Sequence, residues 1–533
     1  MTCRIWRRAL MIALAICLSG LTAIAFGQDD SSSSASSGQS LGDVARKLRK
    51  DTTDEVRMTD ADTKKLFESV DKIFAFASED TDMPRHAAVK RQLVSKADVE
   101  KYASGRLAKE EFAQRFAQEE LSMKKLGFLP REFNLREFLV KSTGQQIAGY
   151  YDDETKTISL LNWVPPDRQA PILAHELTHA LQDQNYNLKK WMQVAMKPEG
   201  KGGDAAGSSN DDGAVARKAV VEGQAMVVYV DYVLKPLGRN LADTPGLLYQ
   251  MEEPAVKAAA DSQMLHDAPM ILREAGSFAY NEGLIFEGEL LHKGGKKMAF
   301  AGAFARPPQN SHEVLQPEAY ISGEKLPPVA IPDLKPLLGN DYDVFDSGGV
   351  GQLDVRALLK QYGERKVADD LSSAWQGGAY VTFHRKDKPG AAAATTDLAL
   401  LYVSRWKTSQ AAEHFARFYT NAIAQRYRSA TAQSAPACAG SSCPVASTQI
   451  ETEEGPVIVE QWADNSVVVS ESFDSGMAAK IQSAVRDSAA GARAATYPHN
   501  EIGLRLYKIP AFRRFAEAIG AQIVQEMLST PQR

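Results

Sequence analysis

Cysteine is scarce in this chain: 4 in 533 residues, far too few for a scaffold held by disulfides. Histidine is nearly as sparse, at 9. No excess of positive charge exists either. The 62 Lys and Arg are outnumbered by 67 Asp and Glu, for a net charge of −5, which excludes the broad basic surface that a nucleic-acid backbone demands. Past residue 27 no apolar run is long enough to cross a bilayer, so a polytopic membrane protein is excluded. What is present, 44% hydrophobic and 24% charged residues, is the balance of a globular chain and excludes wholesale disorder.

The one long apolar run stands at the start. In MTCRIWRRALMIALAICLSGLTAIAFG, Arg4, Arg7 and Arg8 precede an apolar stretch from Ala9, and small residues sit at Ala25 and Gly27. This is the layout of a secretory signal peptide over residues 1–27. The alternative, an uncleaved anchor, is weakened by Ser19, Gly20 and Thr22. The chain is therefore expected to be exported, to a periplasm or outside the cell, with no membrane span after cleavage. Cleavage removes three Arg and no acid, shifting the net charge from −5 to −8. It also removes Cys3 and Cys17. Cys438 and Cys443, in PACAGSSCP, remain, and an oxidising compartment favours one short disulfide between them.

Residues 28–40 (QDDSSSSASSGQS) are a low-complexity linker. From Leu41 to about Ser142 the composition is helical, with apolar Leu66, Val70, Ile73 and Phe74 at helical spacing. QQIAGYYDDETKTISLLNW reads as a β-hairpin near 146–162. VPPDRQ reads as a break, after which PILAHELTHALQDQ resumes a helix. A Gly/Asp/Ser-rich loop at 197–213 precedes an amphipathic helix at 214–235, and helical sequence continues to about Phe304. PPQNSHEVLQPEAYISGEKLPPVAIPDLKP reads as Pro-rich and extended. After about residue 365, AYVTFHR, DLALLYVSRW, TQIETE and PVIVEQWADNSVVVSES read as strands, with helices at SQAAEHFARFYTNAIAQRY and 475–488. The expected fold class is α+β: a mostly helical unit with a small hairpin or sheet over 41–340, a ferredoxin-like βαββα unit over 365–490, and a helical tail at 491–533.

Two of the nine His carry chemistry. His175-Glu176-Leu177-Thr178-His179 is an HExxH on a helix. Residues four apart share a helix face, so both imidazoles can reach one metal ion while Glu176 stands beside it as a general base. The flanks PILA and LTHAL bury this helix, and buried imidazoles need partners. A catalytic zinc site takes three protein ligands and keeps a fourth position open. Glu222 is the candidate third ligand: it is the lone acid in the apolar stretch from Ala219 to Val230, 43 residues after His179. Asp231 and His312 compete for that place.

HELTH with a downstream Glu on a second helix resembles the gluzincin branch of the zincin metallopeptidases. A nearer resemblance is to a group of exported bacterial proteins of poorly defined function. In them AHELTHALQDQ is followed by VEGxA, a Tyr-x-x-Gly helix with a Gly-Gly end, and a Pro-Pro motif leading into Leu-x-Pro-Glu-x-Tyr. Here these are AHELTHALQDQ at 174–184, VEGQA at 221–225, YNEG at 280–283, KGG at 293–295 and PPQNSHEVLQPEAY at 307–320. The resemblance covers roughly residues 41–330. It implies a zincin-like fold, one catalytic Zn2+ on His175, His179 and Glu222, and Glu176 as base. Gln316 departs from the pattern, standing where His is expected; His312 nearby is a candidate substitute. Zincins also place an edge strand above the metal, which would make the 146–162 hairpin a wall of the substrate cleft.

Peptide hydrolysis needs an oxyanion donor besides the metal. Tyr229, Tyr280, His312 and Tyr320 are the candidates, and Asp183 is a candidate hydrogen-bond partner for a ligand His. The expected function is an exported zinc metallopeptidase, an endopeptidase acting on peptide or protein substrates. Its rivals are a non-catalytic zincin-fold protein of the cell envelope that serves as a binding module, and a zinc hydrolase of a non-peptide amide in the cell wall. Residues 41–145 are a candidate propeptide.

Overall fold

The computed structural model describes residues 58–95, 111–142, 150–195, 211–244, 267–327, 331–387, 394–433 and 443–489, with a few isolated positions besides. The signal segment, the linker, Cys438 and, Ala516 apart, the 491–533 tail lie outside the described residues, as does most of the 197–213 loop.

Helix α1 (Asp60–Thr81) starts where Thr59 and Asp62 cap each other's backbone N–H, each at 3.1 Å. It buries Leu66, Val70, Ile73 and Phe74, the stripe that the spacing predicts. The next segment differs from expectation. KRQLV, inside a stretch that reads as helical, forms strand β1 (Lys90–Val94). Its mostly exposed residues carry no alternating signal, and its strand identity comes from parallel pairing with a partner far along the chain. Helices α2 (Glu111–Leu126) and α3 (Leu135–Ser142) follow. The predicted hairpin is present as β2 (Tyr150–Asp152) and β3 (Thr157–Leu161). The Asp152 carboxylate closes its turn on the N–H groups of Glu154 and Thr155, and Lys156 takes a positive φ of 57°. The sheet order is β1-β3-β2, so β2 is an edge strand.

Helix α4 (Pro166–Tyr186) begins within the VPPDRQ stretch rather than after it. Proline is well placed in a first turn, because the N–H it lacks would have no helical partner there. Buried Gln169 ties this helix to β3, accepting from Leu161 N at 3.0 Å and donating to Leu161 O at 2.7 Å. After α5 (Leu188–Ala195) come the two long core helices, α6 (Asp211–Leu234) and α7 (Met270–Lys296). They touch through glycine. A Cβ on Gly223 would lie 2.3 Å from Gly283 O, and one on Gly283 would lie 2.5 Å from Ala219 O. The glycines of VEGQA and YNEG thus let two helix backbones meet. At the end of α7, Gly295 has φ +66°, a conformation that glycine adopts freely. The chain kinks there and continues through a π-helical turn, Lys297–Gly302.

The Pro-rich stretch after Arg306 is not extended throughout. It holds three short helices, α8 (Ser311–Leu315), α9 (Pro317–Ser322) and α10 (Lys335–Leu338). Asn310 caps α8 on Glu313 N at 2.9 Å, and Pro317 opens α9 in its first turn.

The second sheet is wider than the βαββα expectation. Its strands are β4 (Tyr342–Gly349), β5 (Trp375–Arg385), β6 (Leu398–Trp406), β7 (Ala430–Gln433), β8 (Ala446–Thr452), β9 (Gly455–Gln461) and β10 (Ser466–Glu471). They run antiparallel in the order β4-β5-β6-β10-β9-β8-β7. Helices α11 (Gln352–Tyr362) and α12 (Arg365–Ser372) lie between β4 and β5, α13 (Ser409–Arg426) follows β6, and α14 (Ser475–Ala489) follows β10. β4 escapes sequence reading because YDVFDSGG holds two Asp and two Gly, and β7 because all four of its residues are exposed. Both faces of the central strands are covered. Leu400, Tyr402, Val457, Val459, Val467 and Val469 join the same core cluster as α1, α4, α6 and α7. Their neighbours Leu401, Val403, Ile458 and Val468 face a second cluster with α14. Burial on both faces explains the unbroken apolar run in β6, which lacks the alternation of a half-exposed strand.

A buried ionic cluster joins α2 to this sheet. Lys125 reaches Glu454 at 2.9 Å and Ser472 Oγ at 2.7 Å, and Arg131 reaches Glu454 at 2.7 Å. Alongside, Arg426 pairs with Glu471 at 2.9 Å, and Glu471 also accepts from the hydroxyls of Tyr419 and Tyr427. Burial alone would raise the Glu454 pKa, but Lys125 and Arg131 hold it down at about 2.

Two predictions follow from this packing. Gly223→Ala inserts a methyl against the Gly283 carbonyl and should cost on the order of 1–3 kcal/mol or more, read as a lowered urea midpoint at unchanged slope. Glu454→Gln should cost on the order of 3 kcal/mol near neutral pH by leaving Lys125 buried without its partner. A depressed carboxylate pKa contributes stability above its unfolded value, near 4.5, and loses it as pH falls toward 2. The gap between wild type and Glu454→Gln should therefore shrink across that window in urea titrations; a constant gap would contradict the assignment.

Candidate metal centre

Helices α4 and α6 bring three groups together. His175 and His179, one turn apart on α4, present Nε2 atoms 3.1 Å from each other. The Glu222 Oε2 atom on α6 lies 3.2 Å from His175 Nε2 and 3.3 Å from His179 Nε2. Among the described residues this is the one group of His, Cys, Asp or Glu side chains placed to hold a metal ion. It is buried but not sealed: Glu222 is 3% exposed, while the His175 and His179 side chains keep 11% and 13%.

Burial alone would raise the Glu222 pKa. Lys218, one turn earlier on α6 and in contact with Oε1, and His179 hold it well below the ordinary carboxylate range instead. The same balance separates the two imidazoles. Burial lowers His175. At His179 burial acts in the same direction, but the Glu222 charge outweighs it and pushes that group up to about 9. Lys218 is absent from the candidates that the sequence motifs offer. Its i,i+4 spacing from Glu222 is a readable signal, since such pairs face each other on a helix.

Glu176 points to the hairpin. The outward N–H of Tyr151, on edge strand β2, donates to Glu176 Oε2 at 2.8 Å. Asp183 does not hold a ligand His. Its carboxylate takes the Tyr151 hydroxyl at 2.9 Å and the Lys156 ammonium, clamping the hairpin onto α4. The partner of His179 is Gln182, whose Oε1 lies 2.9 Å from Nδ1. At about 100° per residue Gln182 lies about 60° to one side of His179 and Asp183 about 40° to the other, so Gln182 faces α6 and Asp183 faces β2.

Of the aromatic candidates, Tyr280 is placed at the centre: its ring stacks on His175 with centroids 6.3 Å apart and planes 18° apart. Tyr229 lies two helical turns from Glu222, about 10.5 Å along the axis, in a buried setting that raises its pKa. Tyr320 donates to Arg306 O at 2.6 Å and packs its ring on Phe286. His312 is buried elsewhere. Its Nδ1 meets Gln352 Oε1 at 2.7 Å, and Gln316 joins the same polar cluster, donating to Gln352 Oε1 and Ser373 O. Neither belongs to the group placed to hold a metal ion. Asp231 lies further along α6, accepting from Leu241 N at 2.6 Å. Cys443 is in a disulfide.

Comparison with known proteins touches a different part of the chain. The family described as "Domain of unknown function (DUF8575)" matches residues 341–482, a span that begins just before β4 and ends within α14 and leaves out His175, His179 and Glu222. No curated protein and no solved structure matches the chain.

Proposed function

We propose that the protein is an exported zinc-dependent metallopeptidase of the gluzincin type, an endopeptidase with one catalytic Zn2+ held by His175, His179 and Glu222. The observation that carries this reading is the ligand triangle. Zinc bonds His nitrogen and carboxylate oxygen at about 2.0–2.2 Å, and tetrahedral geometry then sets ligand atoms roughly 3.3 Å apart. The three edges here are 3.1, 3.2 and 3.3 Å. The donor set, two imidazoles and one carboxylate, suits a catalytic zinc that keeps a fourth position for water or substrate.

Bound there, zinc would supply a Lewis acid that polarises a scissile carbonyl and lowers the pKa of water. The chain supplies the rest. Glu176 takes the proton of the attacking water and returns it to the leaving amine. Lys218 occupies Glu222 Oε1, leaving Oε2 to face the imidazoles. Tyr280, beside His175, is the nearest of the candidate donors for the developing oxyanion. Strand β2, at the sheet edge beside Glu176, would make the hairpin one wall of the cleft. A carboxylate next in sequence to a ligand, as Glu176 is to His175, supports hydrolysis, because a purely structural metal site needs no base.

The purified exported protein should hold one zinc per chain. Glu176→Gln should keep that zinc and lose casein hydrolysis by a factor on the order of 100 to 10,000. Absence of stoichiometric zinc, or full casein cleavage by Glu176→Gln, would sink the proposal.

A further inference from the structure

We infer that Gln182 and Gln224 are positioning residues for the metal centre. A one-way hydrogen-bond chain through their side-chain amides fixes a proton on His179 Nδ1 and so presents His179 Nε2 to the metal. This rests on the reading of His175, His179 and Glu222 as ligands. It assigns roles to two motif residues, the first Gln of LQDQ and the Gln of VEGQA, that the chemistry above leaves unused.

The direction of the chain follows from its far end. Gln224 Nε2 donates to two main-chain carbonyls, Ala299 O at 2.9 Å and Phe300 O at 3.1 Å. Carbonyls can only accept, so the Gln224 amide cannot be turned around without setting oxygen against oxygen. Its Oε1 therefore faces Gln182 and accepts from Gln182 Nε2 at 3.0 Å. The same Nε2 donates to Val221 O at 3.0 Å, a second partner that can only accept. Gln182 is thus fixed in turn, with Oε1 toward His179 Nδ1 at 2.9 Å. That nitrogen must carry the hydrogen, and the lone pair of the neutral ring falls on Nε2, the atom beside His175 and Glu222.

Both Gln side chains are fully buried, so water cannot replace a lost link. The end of the chain is built by glycine. Ala299 and Phe300 belong to the π-helical turn that follows the kink at Gly295, and this turn brings their carbonyls to α6. The KGG motif is thereby tied to the metal centre through four hydrogen bonds.

Zinc affinity by chelator competition and the imidazole N–H resonances by NMR test this on the purified full chain. Gln182→Leu should weaken zinc binding by a factor on the order of 10–100. It should also abolish the slowly exchanging Nδ1–H signal of His179. Gln182→Glu keeps an oxygen acceptor opposite Nδ1 and, taken up in its protonated form, offers one O–H toward Val221 O and Gln224 Oε1 in place of the two N–H donors, so it should retain that signal and most of the affinity at a cost in stability. Gln224→Leu acts through Gln182, so it should weaken zinc binding less and add nothing in the double variant. Unchanged zinc affinity with a persistent Nδ1–H signal in Gln182→Leu would overturn the inference, as would additive losses in the double variant. Should Gln182→Leu fail to fold, Gln182→Glu and Gln224→Leu decide the matter by the same two readouts. If wild type binds no zinc, the ligand assignment itself fails, whereas the His179 Nδ1–H signal still reports on the chain.

Discussion

A carboxylate cannot stand alone in an apolar helix interface, and much of the centre of this protein is arranged around that constraint. Glu222 sits on α6 among Val220, Val221 and Ala225, all buried. Three groups compensate its charge: Lys218 from its own helix, and His175 and His179 from α4. The imidazoles share the need, because buried nitrogens on an apolar helix also require partners. One cluster answers both requirements and, in doing so, assembles the donor set of a metal site.

Bringing those helices together depends on small residues more than on large ones. The backbones of α6 and α7 meet at Gly223 and Gly283. That contact sets Glu222, the neighbour of Gly223, and Tyr280, one turn from Gly283, on the same side as His175. A side chain at either glycine would wedge the helices apart and carry the carboxylate away from the imidazoles. The kink at Gly295 acts at the other end of α7, swinging the carbonyls of Ala299 and Phe300 to Gln224. The recurring glycines of VEGQA, YNEG and KGG are thus geometric requirements of one centre.

The seven-stranded sheet belongs to the same core. Its face of Leu400, Tyr402, Val457 and Val467 shares a cluster with the helices that carry the site, and the Lys125–Glu454 pair bridges α2 to its turn. Charged residues buried at such a junction add little net stability over apolar ones, but they penalise misalignment, since each charge left without its partner is costly.

The local chemistry of the site was legible in the residues themselves. HELTH at helical spacing put two imidazoles on one face, and an acid alone in an apolar helix announced itself in Glu222, because helix periodicity and the cost of a buried charge act within a few residues. The hairpin and the α1 stripe were legible for the same reason. Features set by distant partners were not. β1 exists because β3 lies beside it, and KRQLV carries no signal of its own. β4 and β7 are recruited by their neighbours. Asp183 and Gln182 are adjacent in sequence and equally plausible as partners of a ligand His; a turn of 100° about the α4 axis gives one to the hairpin and the other to His179. Residue type and spacing determined which groups could bind a metal. Which hydrogen bonds orient them, and whether the two helices come within 3.3 Å of each other's ligand atoms, was decided by the glycine contact and the kink in the tertiary fold.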